Sequence, residues 1–132
     1  PSFKNAFQKR RCLIPVDGFY EWQKSGKVKK PFCISLTSGE PFVLAGLYET
    51  WMSPEKKSIQ TCTIITTEAN ELIQSIHDRM PVIVNKEFYN FWLDPDNHDQ
   101  GGLMAVLKPY PAGEMTMIPA DPFILNRPGR EK

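Results

Sequence analysis

From Arg11 to Thr67 the chain is a succession of short apolar, β-branched and aromatic runs cut by turn-forming residues, and this pattern constrains the fold most. RCLIPV at 11–16 and GFYEWQK at 18–24 read as strands separated by Asp17-Gly18. Ser25-Gly26-Lys27 is a turn, and KPFCISLT at 30–37 returns to complete a hairpin. After a second turn at Ser38-Gly39-Glu40-Pro41, FVLAGLYETW at 42–51 is a long apolar strand. A polar loop from Ser53 to Ser58 leads to IQTCTIITT at 59–67, whose β-branched residues predict a central strand.

Helical spacing appears at three places. Ser2 followed by Phe3, Ala6 and Phe7 predicts a short capped amphipathic helix. EANELIQSI at 68–76 places Leu72, Ile73 and Ile76 on one face, with Thr67 as N-cap and Glu68 and Glu71 at the positive end of the dipole. HDRMP at 77–81 ends it, because the residue before a proline avoids the helical region. PVIV at 81–84 predicts a short strand, and KEFYNFWL at 86–93 a helix burying Phe88, Phe91 and Trp92. LMAVLKPY at 103–110 and EMTMIP at 114–119 read as late strands, and from Ala120 on an irregular tail is expected. The order predicts one α+β domain with a twisted antiparallel, barrel-like β core and a few helices.

Composition supports a folded domain. A chain of 132 residues can bury roughly two-thirds of the surface exposed when unfolded. The 41% apolar and 23% charged residues exclude a wholly disordered chain. No apolar run approaches the ~18 residues a membrane span needs. Twelve prolines, about 9% against a usual ~5%, are an unusual excess. Pro1 in place of an initiator methionine is what a processed or cut product would show.

The net charge of +1 conceals an asymmetry. Residues 1–30 hold eight basic side chains (Lys4, Lys9, Arg10, Arg11, Lys24, Lys27, Lys29 and Lys30) against Asp17 and Glu21. Such an end attracts phosphate, or is a solvated face plus a charged hairpin tip. Cys12, Cys33 and Cys62 form no C-x-x-C pair, and His77 and His98 complete no zinc pattern, so no metal or cofactor site is expected. All three cysteines are predicted to be core residues. Reduced cysteines and the lack of a visible signal peptide fit the cytoplasm.

Several residues are candidates for chemistry. Glu21 lies between Tyr20 and Trp22, and a carboxylate amid rings suits general acid–base work. Alternation puts Phe19, Glu21 and Gln23 on one face, so Glu21 facing water is the competing reading. His77 is a proton shuttle, or simply a helix C-terminal residue on the dipole. Arg79, two residues on and pinned by Pro81, can bind an anion beside it. Thr66 and Thr67 offer hydroxyls and helix N–H groups to phosphate, or serve as strand and cap residues. G-x-S-x-G, P-loop, G-x-G-x-x-G and H-E-x-x-H patterns are all absent.

RCLIPVDGFYEW at 11–22, TTEAN at 66–70, IHDRMPVIV at 76–84 and the SFKNAF lead-in together resemble the SRAP family (SOS response-associated peptidase). The resemblance runs from Pro1 to about Tyr110, and the tail matches only loosely. It implies a single α+β domain with a twisted, barrel-like core and one open groove. It also implies binding of single-stranded DNA and covalent reaction with abasic sites. The family nucleophile is a cysteine exposed by self-removal of the initiator methionine, and its thiol and amine capture the ring-opened aldehyde as a thiazolidine. By motif, Glu21 is similar to the family's acidic residue that manages protons at that amine. His77 matches the histidine that assists opening of the deoxyribose ring. Arg79 matches an arginine on DNA phosphate, and Thr67 lies in the segment leading to that site.

The sequence departs from the family at its start. Neither the M-C-G-R opening with its cysteine nor the N-A-R-x-E-T segment with its asparagine is present, and Cys12, Cys33 and Cys62 match no nucleophile. The expectation is therefore the C-terminal part of such a domain, active as an abasic-site crosslinker and autopeptidase only in an intact parent. The alternative is a non-catalytic single-stranded nucleic-acid-binding module, in which the basic first thirty residues contact phosphates and Trp22 stacks on bases. A thiol peptidase acting in trans is disfavoured, since no Cys–His pair has useful spacing.

Overall fold

The apolar run at 42–47 becomes the hub of the domain. In the computed structural model, which describes residues 2–121, it is the first half of strand β4 (Phe42–Met52). Phe42 and Leu44 point to one side, into a core with Ile34, Ala69, Ile73, Met80, Ile83 and Met115. Ala45 and Leu47 point to the other, into a core with Ala6, Phe7, Ile65, Val82, Val84, Trp92 and Leu103. A strand buried on both faces reads as a continuous apolar run, which is why this one does.

β4 is flanked antiparallel by β1 (Arg11–Val16), with Arg11 opposite Leu47, and by β5 (Ser58–Ile64), with Gly46 opposite Ile64. Gly46 is required there, since a Cβ would lie 2.8 Å from Ile14 Cδ1 and 3.2 Å from the Thr63 carbonyl. A second sheet has the order β2 (Phe19–Ser25), β3 (Val28–Leu36), β8 (Met115–Pro119). β2 and β3 form the expected hairpin, closed by Gly26-Lys27, and Gly26 takes the positive φ of 64° that this tight loop demands. A short ladder joins β6 (Thr66–Glu68) to β7 (Arg79–Pro81). Helix α1 (Ser2–Lys9) forms as its spacing predicts, and Tyr89–Leu93 is helical (α2) after a 3₁₀ turn at Lys86–Phe88. None of the helices in the described residues is long and apolar enough to cross a membrane.

Several expectations are corrected. The α+β class holds, but among the described residues the strands form three separate sheets and no closed barrel. β5 is an edge strand exposed along its whole length, not a central one. β-Branched residues report fit to a pleated surface, not burial, and β4 occupies the centre. Accordingly Cys62 is exposed, whereas Cys12 and Cys33 are half-buried. Residues 68–76 do not form the predicted helix. Thr66–Glu68 pairs with β7, and only Ile73–Ser75 coils, as a 3₁₀ turn. The buried Asn70 side chain accepts from the N–H groups of Leu72 (3.1 Å) and Ile73 (3.0 Å), an Asx-type turn that outcompetes helix at this point.

The segment at 103–110 begins as helix, not strand. Helix α3 spans Gln100–Val106, and its N-cap Asp99 accepts from the Gly102 N–H at 3.0 Å. Among the aromatics of 86–93, Trp92 is fully buried, Phe91 half-buried and Phe88 exposed. PVIV contributes Pro81 to β7 and a single bridge from Ile83 to Leu44. The expected tail beyond Asp121 lies outside the described residues.

Candidate functional site

β2 is an edge strand, and its free side faces the segment that carries His77. Three residues of one face settle the position of Glu21. Phe19 packs edge-on against Phe42 with ring centroids 6.3 Å apart, so it belongs to the core. Gln23 reaches across and its Nε2 donates to the Ser75 carbonyl at 3.1 Å. Glu21 lies between them, half-buried, on the wall of an open groove of about 890 Å³. The solvent-facing alternative for Glu21 is thereby replaced by a groove-lining one.

The opposite wall is Ile76, His77 and Asp78. His77 Nδ1 accepts the Arg79 N–H at 3.1 Å and also lies 3.2 Å from the Arg79 carbonyl oxygen. A bare Nδ1 is thus satisfied by the amide, and a protonated one can donate to the carbonyl. Asp78 Oδ1 lies 3.5 Å from the same nitrogen. The ring stays held in both protonation states, and Nε2 makes no bond among the described residues. His77 does not end an α-helix, so the helix-dipole reading falls away.

Trp22 completes the cluster, half-buried, and the groove continues along Lys24, Lys27 and Lys29 of the β2–β3 hairpin. Glu21, Trp22 and His77 are therefore brought together. Arg79 and Thr67 do not line this groove. Arg79 is exposed and folds back on Thr66, donating from Nη2 to its carbonyl (2.9 Å) and hydroxyl (3.2 Å). Its Nη1 is left without a partner among the described residues. The Thr67 hydroxyl instead donates to the Leu107 carbonyl at 3.3 Å, which commits it to packing of the chain.

Sequence reasoning missed Thr66 as the residue that holds Arg79, Gln23 as the strut across the groove and Asn70 as the anchor of the His77 loop. Asn70 is 7% exposed, and its Nδ2 donates to the Tyr110 carbonyl at 2.7 Å. The alternation of Phe19, Glu21 and Gln23 could have signalled the strut. The partners of Asn70 and Thr66 lie too far along the chain to be inferred. The basic first thirty residues are not one patch. Arg11 is buried, Arg10 pairs with Glu49 at 3.1 Å, and three of the lysines line the groove. Among the described residues no group of three or more His, Cys, Asp or Glu could hold a metal ion.

A carboxylate and an imidazole from separate segments, gathered with three lysines around one open groove, define a class of α+β domain whose ionisable side chains collect at a single cleft. The family model for SOS response associated peptidase (SRAP) matches residues 1–126, and the chain belongs to that family. It is 49% identical to the abasic site processing protein YoqW of Bacillus subtilis over 116 residues, covering 87% of this chain and 52% of that protein. It is 29% identical to the abasic site processing protein HMCES of Gallus gallus, covering 93% of this chain and 42% of that one. A crystal structure of a protein from Bacteroides thetaiotaomicron superimposes with a TM-score of 0.88 at 30% identity, over 96% of this chain and 56% of the other. The chain spans about half the length of the curated relatives it matches.

Proposed function

We propose that the chain is the part of an SRAP domain that holds single-stranded DNA at an abasic site and handles protons while the lesion is captured covalently. The observation that carries this is the placement of Glu21 and His77 on facing walls of one groove. The relatives, abasic site processing proteins, suggest the substrate, an abasic site. The abasic sugar is a cyclic hemiacetal, and its opening needs a proton removed from the C1′ hydroxyl and one delivered to the ring oxygen. His77 Nε2 delivers or removes that proton while Nδ1 remains held by the Arg79 backbone. The aldehyde condenses with the α-amine of an amino-terminal cysteine, losing water. The thiol then adds across the resulting C=N bond to close a thiazolidine. Glu21 accepts the proton of the amine as it attacks and returns it to the departing hydroxyl.

The 132 residues do not contain the Met-Cys-Gly-Arg start that the family resemblance assigns to this cysteine. The test supplies that amino-terminal half in the same polypeptide, adds abasic single-stranded DNA and looks for a heat-stable adduct on a denaturing gel. An adduct is expected only when the half is present, and Glu21→Gln and His77→Ala should each slow its formation about 10²-fold. No adduct with the half present would sink the reading.

The lysine-lined wall beside Trp22 favours a second reading, a module that binds single strands without reacting. It expects salt-sensitive binding with no covalent product under the same conditions.

A further inference from the structure

The β2–β3 hairpin carries a charge arrangement that its own fold does not stabilise. Lys24 and Lys29 stand directly opposite each other in the ladder, and like charges at that spacing repel. Lys27 in the loop adds a third. The ion pairs among the described residues are Arg10–Glu49 and His77–Asp78, and neither relieves these lysines. Cross-strand register puts Trp22, Pro31, Lys24 and Lys29 on one face, and all three lysines line the same groove as Glu21 and His77. A polyanion in the groove would supply counter-charge to all three.

We propose that Lys24, Lys29 and Lys27 form a phosphate rail that leads one flank of the single strand away from the lesion along the hairpin. Trp22 and Lys24 are two residues apart on one face of β2, a repeat of about 7 Å. That repeat suits consecutive phosphates of a stretched single strand. The abasic sugar sits between Glu21 and His77, the neighbouring base stacks on Trp22, the next phosphate meets Lys24 and Lys29, and the one after meets Lys27. The rail serves one flank only, because its three lysines lie together at the loop end of one hairpin.

This rests on the groove being the DNA site, and the experiment separates the two. Affinity for single-stranded oligonucleotides bearing a tetrahydrofuran abasic analogue is measured against salt, with the lesion near the 5′ end, near the 3′ end or central. The variants are Lys24→Ala/Lys27→Ala/Lys29→Ala and, as a distant control, Lys56→Ala/Lys57→Ala. Loss of contacts to two phosphates lowers the log–log salt slope by about 1.5 and weakens binding about tenfold or more, for the central lesion and for one of the two end-placed lesions. The control leaves both unchanged. No binding by the parent protein overturns the groove reading and the rail together. Parent binding with an unaltered slope in the triple variant overturns the rail alone, as does equal weakening for both end-placed lesions. Lys29→Glu supplies a readout of opposite sign: relief of the repulsion should raise the thermal midpoint by about 1–3 °C while binding weakens. A fall in both would contradict the proposal.

Discussion

Arg11 and Arg79 show how one side chain serves two ends of the molecule. Arg11 is 6% exposed, and all five of its N–H groups are used on backbone carbonyls. Nε donates to Trp92 (2.7 Å), Nη1 to Phe7 (2.6 Å) and Gln8 (3.2 Å), and Nη2 to Asp94 (2.6 Å) and Asn97 (3.1 Å). These carbonyls lie at the C-terminal ends of α1 and α2 and in the loop beyond, where helices leave acceptors unpaired and favour a cation. The guanidinium also lies 5.6 Å from the Trp92 ring centroid. Burial pushes its pKa below the ordinary value, partly offset by the Asp94 carboxylate. The Arg79 side chain, by contrast, is exposed and among the described residues hydrogen-bonds only Thr66, with Nη1 to spare. A saturated arginine is a clamp, and an unsaturated one is open to a ligand.

The largest expected effect is at the clamp. Arg11→Met strands several carbonyls and should cost on the order of 3 kcal/mol or more in urea unfolding, at about 1 kcal/mol or more for each buried acceptor left unpaired. Arg11→Lys should recover only part, because an ammonium has three donors and no fork. A loss under about 1 kcal/mol would remove the distinction. Next is Asn70→Ala on the site side, which leaves two N–H groups and the Tyr110 carbonyl unmet and should cost about 1–3 kcal/mol. It should also slow adduct formation by loosening the His77 loop, and full stability with unchanged rate would show that the loop is held by something else.

A smaller effect concerns pH. Burial, with the nearby Cys62, raises the Cys12 thiol above its ordinary 9.0, and burial, with Glu114, raises Tyr110 above its ordinary 10.0. The folded chain then binds protons more tightly than the unfolded one at these groups. Their contribution is fully present below the ordinary values and is lost as pH rises through the higher folded ones. Thermal midpoints should therefore fall above pH 9, and less so in Cys12→Ala and Tyr110→Phe. Equal slopes in parent and variants would contradict this. The smallest stability change is expected for Arg79→Ala, within ±0.5 kcal/mol, together with weakened single-strand binding. Substantial destabilisation would make Arg79 a second clamp.

The same contrast explains what the sequence makes legible. α1, the β2–β3 hairpin, β4 and β8 follow from local periodicity and turn residues, and Glu21, Trp22 and His77 follow from motifs. Whether a strand is central is decided by its neighbours, so β5 misleads. Whether 68–76 coils is decided by Asn70 and by pairing with β7, which no local pattern displays. Arg11 looks like one more positive charge of a basic end. Its role emerges only from carbonyls up to 86 residues away. Thr67, singled out beside Thr66, faces the wrong way by one position in a two-residue period.

Three tryptophans make the central claim directly measurable. Trp22 lines the groove, Trp51 is 56% exposed on β4, and Trp92 is fully buried against the Arg11 clamp. Their indole N–H signals can be assigned by single Trp→Phe variants and followed by NMR while abasic single-stranded DNA is added. The account expects Trp22 to shift saturably together with the His77 ring, while Trp51 and Trp92 stay in place. Saturable movement of Trp51 with Trp22 and His77 unmoved would put the DNA on the β4–β5 sheet and contradict it.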